Sequence, residues 1–238
     1  VVLALTSSSA WAAHPLVTED TATQGQGNAE LEKGFSWSHD GDGDVRLFQP
    51  QLSLGLSPAL DVIVQPAWVS RRTLGGDRVS GWGDTNLDAK WRFFGEAPWS
   101  LAVRAGVTLP TAQDDLGLPH GTGSPHAVLV ATYEQVPFAL HINLGVANLP
   151  RGSAERRTQG HVSAALMWSA NERWVWTLDV DADANPDPAR SAWQGTALAG
   201  LVYTVQPGLD VDFGYQSTLR HTTLARQWLL GLTYRFAP

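Results

Sequence analysis

The chain has 238 residues, 11 of them tryptophan and none cysteine, with a formal net charge of −7. That length fits one β-rich domain, and the acidic balance argues against nucleic-acid binding, where a basic face is expected. The lack of cysteine excludes disulfides, thiolate metal sites and a cysteine nucleophile together. After the first dozen residues no apolar run approaches the roughly 18 residues of a transmembrane helix, so a membrane location would require strands.

Taken in order, residues 1–12 pass from an apolar run into small residues and end in Ala10-Trp11-Ala12. That A-x-A pattern reads as the end of a truncated signal peptide, with the mature chain starting at Ala13. Residues 13–28 form a polar leader without a period, expected either in the periplasm or folded into a lumen. From residue 29 period-two alternation takes over. In "GDTNLDAKWRFF", Asp84, Asn86, Asp88, Lys90 and Arg92 share one face, and Thr85, Leu87, Ala89, Trp91 and Phe93 the other. A helix would scatter those charges; a strand separates them.

Strands are predicted near 29–39, 44–57, 59–72, 80–94, 99–110, 126–135, 138–149, 158–169, 173–184, 192–205, 209–217 and 226–236. Short turns ("SPAL", "GEAP", "QVP") alternate with longer polar connections such as "TAQDDLGLPHGTGSP". Outward aromatics fall at both strand ends, among them Trp91, Trp99 and Trp174 at one and Trp37, Trp68 and Trp228 at the other. Tight turns at one end, long loops at the other and two aromatic belts predict a transmembrane up-and-down antiparallel β-barrel of about twelve strands over 29–238. A Gram-negative outer membrane is the expected location, with outer-membrane lipid around the wall.

Within that frame the Asp-rich run "TLDVDADANPD" is one strand face, not a compact metal site. If Trp168 faces Trp174, Asp181 lies opposite His161, Asp179 opposite Ser163 and Asp183 opposite Gln159. Pairing Phe93 with Trp99 likewise brings Asp88 opposite Arg104, and Glu32 is expected beside Arg235 at the barrel seam. The candidate lumen path is Asp84, Asp88, Lys90, Arg92, Arg104, His141, His161, Asp179, Asp181, Asp183, Asp210 and Asp212. Its aspartates from 179 to 212 would form an acidic sector facing a basic one of Lys90, Arg92 and Arg104. Either these groups orient a dipolar solute by a transverse field, or they are hydrogen-bonded wall.

Other motifs are weaker. Asp40, Asp42 and Asp44 in "HDGDGD" resemble the start of an EF-hand, but Val45 stands where that loop needs Gly and Gln51 where it needs Glu. The reading is a flexible loop; no metal site, cofactor or catalytic residue is expected. His120 and His126 lie in or beside the longest connection. His141 and Asn143 face the lumen, the wrong surface for a lipid-cleaving barrel enzyme. Pro50 and Pro66 occupy matching "QP" positions in neighbouring strands and cannot donate to the ladder. They are read as a bulge kinking the wall, or as a weak point where an apolar solute leaves sideways.

The leader "AHPLVTEDTATQGQGNAELE", the stretch "GWGDTNLDAKWRFF" and the closing "LTYRF" resemble the outer-membrane family named for the MetA pathway of phenol degradation. The resemblance implies an outer-membrane, transporter-like barrel passing small solutes, aromatic or apolar ones included. The alternative is a non-conducting structural or ligand-binding barrel. Leu232, Tyr234 and Phe236 resemble the C-terminal signal read by the barrel-assembly machinery, although Ala237 and Pro238 follow it.

Overall fold

The computed structural model describes residues 14–40, 43–73, 75–112, 123–149, 156–185, 189, 193–220 and 224–236. The signal-peptide reading of residues 1–12 lies outside them, as do Asp42, His120, Ala237 and Pro238.

Alternation makes strands here because it gives each segment one face that tolerates lipid and one that tolerates a polar interior. The strands are β1 (Ala29–Asp40), β2 (Gly43–Ser57), β3 (Leu60–Gln65), β4 (Trp68–Thr73), β5 (Arg78–Trp82), β6 (Thr85–Glu96) and β7 (Trp99–Leu109). There follow β8 (Ser124–Gln135), β9 (Phe138–Asn148), β10 (Thr158–Ser169), β11 (Trp174–Ala184), β12 (Trp193–Gln206), β13 (Leu209–Arg220) and β14 (Leu224–Phe236). All pairings are antiparallel, and β1 pairs with both β2 and β14, closing the sheet on itself. β3 with β4, and β5 with β6, are interrupted halves of single crossings, parted at Pro66-Ala67 and Gly83-Asp84. The described residues therefore form a closed twelve-stranded barrel.

Its burial is the inverse of a water-soluble protein. Outward Leu178, Leu144 and Trp91 are 60%, 57% and 54% exposed, while inward Glu30, Asp61 and Asp179 are 1–2% exposed. Only an apolar solvent outside the wall makes that arrangement favourable, since exposed hydrocarbon and buried carboxylates are both costly in water. The aromatic belts are present: Trp99 meets Tyr133 edge-on and Trp174 meets Tyr203 in a tilted pair at one end, and Tyr215 meets Trp228 at the other.

Three predicted registers shift while the faces hold, because a two-residue slip preserves alternation. Trp168 faces Trp176 rather than Trp174, so Asp183 lies opposite His161, Asp181 opposite Ser163 and Asp179 opposite Ala165. The cause is a wider turn, in which Ala170 N–H donates to Trp174 O and Asn171 Oδ1 accepts from the amides of Arg173 and Trp174. Lys90, not Asp88, sits opposite Arg104, and the β6–β7 register shifts between Arg92 and Phe94, so that Phe93 and Phe94 are both exposed. Arg235 faces Glu30, not Glu32, at the seam.

The proline pair does not make a bulge. Leu52 faces Val64 and Phe48 faces Trp68 in one continuous register, so no residue is inserted between them. The strand opposite Pro50 simply stops at Pro66-Ala67, and Gly83 N–H donates to Ala67 O across the next gap.

Candidate functional site

The barrel interior is occupied by its own leader, which runs round the inside of the wall before turning into β1. His14 Nδ1 meets Asp212 on β13 at 2.6 Å. Asp179 on β11 accepts the amides of Val17 and Thr18 and, at 2.7 Å, the Thr18 hydroxyl. Asn143 on β9 accepts the Glu19 amide and donates to the Glu19 carbonyl. Thr21 reaches Thr132 on β8 and Ser100 on β7, and the Gln24 amide donates to Asp61 on β3. Gly27 N–H donates to Gly55 O as the leader passes into β1.

Two local features let the leader lie this close. The wall carries glycine where His14 and Pro15 rest: a Cβ at Gly214 would stand 2.9 Å from Pro15 Cβ, and one at Gly34 2.9 Å from His14 Nε2. Backbone amides that a loose segment would give to water are satisfied by Asp179, Asn143 and Asp61, as burial requires. Leu16 adds an apolar contact to the inward cluster of Met167, Val175 and Val202.

The electrostatic centre is Glu19 between two cations. Its oxygens lie 2.7 Å from Lys90 Nζ and 2.5 Å from the Arg104 guanidinium. Asp20 adds a second carboxylate to Lys90 at 3.1 Å, and Asp88 holds Arg104 at 2.7 Å and His126 Nε2 at 2.7 Å. Burial alone would raise the Glu19 carboxyl, but Lys90 and Arg104 outweigh it and hold it at about 2. Glu19 therefore stays ionised across the physiological range.

The predicted lumen residues thus divide. Lys90, Arg104, Asp88, Asp179 and Asp212 converge on the leader or its immediate partners. Asp181 accepts from Thr196, and Asp183 binds His161 at 2.7 Å. Asp210 pairs with Arg235 at 2.6 Å, and Arg235 Nε lies 2.9 Å from Glu30, while Glu32 accepts from Gln51 instead. His141 bonds Thr132, and Arg92 donates to Pro58 O. Asp84 lies in the break between β5 and β6 and accepts the Ala112 amide. Asp44 is held by His39 at 2.8 Å; among the described residues no group of three or more His, Cys, Asp or Glu is arranged to hold a metal ion.

Sequence reasoning missed the leader's own share, above all His14, Thr18, Glu19 and Asp20. The opposed acidic and basic sectors are the signal for it: the leader puts amides and an imidazole toward the acids and carboxylates toward the cations.

Beside the leader runs a cavity of about 450 Å³, bordered toward the short-turn end by Glu30, Ser53 and Asp61 and toward the long-loop end by His126, His161 and Gln227. Leu47, Ile63, Val128 and Leu229 give it apolar stretches among the charges. A second cavity of about 140 Å³ lies on the other side of Asp20 and Ala22, against Phe138, His141, Met167 and Val175.

Residues 15–236 match the family described as "Putative MetA-pathway of phenol degradation". The chain belongs to that family. Among solved structures it is similar to the COG4313 outer membrane channel from Pseudomonas putida F1, with a TM-score of 0.74 at 12% identity, covering 91% of this chain and 98% of that one. The KdgM porin follows at a TM-score of 0.63 and 7% identity, covering 87% and 99%. The NanC porin gives 0.60 and 7%, covering 87% and 98%. No curated protein sequence matches. At these identities the likeness is one of fold: the transmembrane barrel of Gram-negative outer membranes.

Proposed function

We propose that the chain is an outer-membrane channel through which small solutes pass passively alongside a docked leader. The observation that carries this reading is the cavity beside the leader, whose lining reaches from Glu30 and Asp61 near the periplasmic turns to His126 and Gln227 toward the outer loops. Its volume of about 450 Å³ suits a small molecule. Its mixed lining favours solutes with a polar end and an apolar or aromatic body: Arg104, His126 and Asp61 can hold the first, Leu47, Ile63 and Val128 the second. The family's description, which names phenol degradation, supports the aromatic part of the reading.

The test is flux into proteoliposomes of a hydroxylated aromatic acid against a sugar of similar size. Faster entry of the aromatic, reduced by Ile63→Asp and Leu47→Asp, is the expected result. Equal rates for both solutes would remove the aromatic preference, and no flux of either would favour the non-conducting barrel.

A further inference from the structure

The outer wall carries a basic patch at the long-loop rim that neither the lumen nor the fold requires. Three cross-strand rows can be followed over β14, β1, β2, β4 and β5. The outermost is Arg226–His39–Asp44–Arg72–Arg78, the next Trp228–Trp37–Arg46–Ser70–Ser80, and the third Leu230–Phe35–Phe48–Trp68–Trp82. Alternation puts these residues on the outward face, the same face as Leu52, Leu54 and Leu56 farther down β2. Arg46, Arg72, Arg78 and Arg226 are all exposed. The two basic rows hold one carboxylate, Asp44, already engaged by His39. The patch is cationic on a chain whose formal net charge is −7.

Its placement is specific. Arg72 lies directly opposite Arg78, and like charges facing across a ladder repel unless an anion lies between them. Arg72 and Arg78 are one strand spacing apart, about 4.8 Å, and Arg46 lies on the next strand two residues farther in, so the three long side chains can surround a single tetrahedral anion with planar, multiply donating guanidinia. The aromatic row of Phe35, Phe48, Trp68 and Trp82 lies two residues nearer the membrane centre than Arg46, about 7 Å along the strand, and four residues nearer than Arg72 and Arg78, about 14 Å, at the interfacial depth of an aromatic belt. Guanidinia standing about 7 to 14 Å above an aromatic belt match a molecule with phosphate above and hydrocarbon below.

We propose that this patch binds the phosphorylated saccharide headgroup of an outer-leaflet glycolipid, with its acyl chains against the aromatic row. The proposal rests on the outer-membrane location but not on the lumen being a channel. The test uses the full chain in detergent and reads retained lipid by native mass spectrometry, with bis-phosphorylated lipid A, its dephosphorylated form and phosphatidylglycerol as probes. Arg72→Gln/Arg78→Gln should weaken retention of the phosphorylated form about tenfold or more, with Arg72→Lys/Arg78→Lys intermediate. Retention of the dephosphorylated form should be weak and alike in all three proteins. Gel mobility before and after heating shows that each variant is folded, and Arg46→Gln/Arg226→Gln gives a second, independent loss. Equal retention by wild type and both Gln variants would overturn the proposal, as would equal binding of the dephosphorylated form. Displacement by millimolar inorganic phosphate would show a free-anion site instead, and equal capture of phosphatidylglycerol would show a general anionic-lipid surface; either contradicts the glycolipid.

Discussion

Replacing Glu19 with Gln removes one charge from the contact that holds the leader across the lumen. Lys90 would keep Asp20 at 3.1 Å and Arg104 would keep Asp88 at 2.7 Å, so neither cation is left alone. What is lost is the charge-assisted part of two short contacts among side chains 7–18% exposed. Hydrogen bonds to charged groups contribute about 1.5–3 kcal/mol each, and breaking a fully buried pair costs about 3–5. Since a glutamine still donates and accepts, and the site is partly open, a loss of about 2–4 kcal/mol in leader docking follows. That raises the undocked population roughly 30- to 700-fold. The chain has no cysteine, so Thr21→Cys, at a position 3% exposed in the docked leader, provides a unique reporter. In that background Glu19→Gln should speed thiol labelling by the same factor while leaving the melting of the barrel unchanged. Labelling that stays within about twofold of the parent would refute the view that Glu19 fastens the leader.

Gly214→Val should also release the leader, because its Cβ would stand 2.9 Å from Pro15 Cβ; overpacking of about 1–3 kcal/mol predicts faster labelling at Thr21→Cys with strand pairing intact, and unchanged labelling would contradict the close approach. Arg235→Met should destabilise the barrel itself by about 3 kcal/mol, the lower end for a buried pair because the guanidinium is 21% exposed. It leaves Glu30 and Asp210 without their cation, and a lower heat-modification temperature on gels is the check. Pro50→Val with Pro66→Val restores ladder donors where the crossing is interrupted. If apolar solutes leave through that gap, their uptake falls while polar flux is unchanged, and unaffected uptake of both removes the sideways exit.

Much of this barrel was legible in the sequence because period-two alternation fixes the face of a residue without fixing its partner. Asp179, Lys90 and Arg104 point inward as the pattern requires, and the strands lie close to the bounds their turn residues set, although two of them are broken, at Pro66-Ala67 and at Gly83-Asp84. The partners were less legible. Trp168 could choose between Trp174 and Trp176 according to whether Asn171 organises a wider turn, and the two choices are indistinguishable by alternation. Arg104 and Asp88 still pair, from diagonal rather than opposite positions, since an arginine is long enough to bridge the offset. The leader was the least legible part. Its conformation follows no period and is set by contacts distant in the chain, from Gln24 with Asp61, 37 residues apart, to His14 with Asp212, 198 apart.

The central claim is that the docked leader sets the width of a through-path. Conductance in planar bilayers, compared between the full chain and a form lacking residues 13–28, tests it most directly. Small, steady openings in the first and several-fold larger ones in the second are predicted. Equal conductance, or silence in both, would contradict the account.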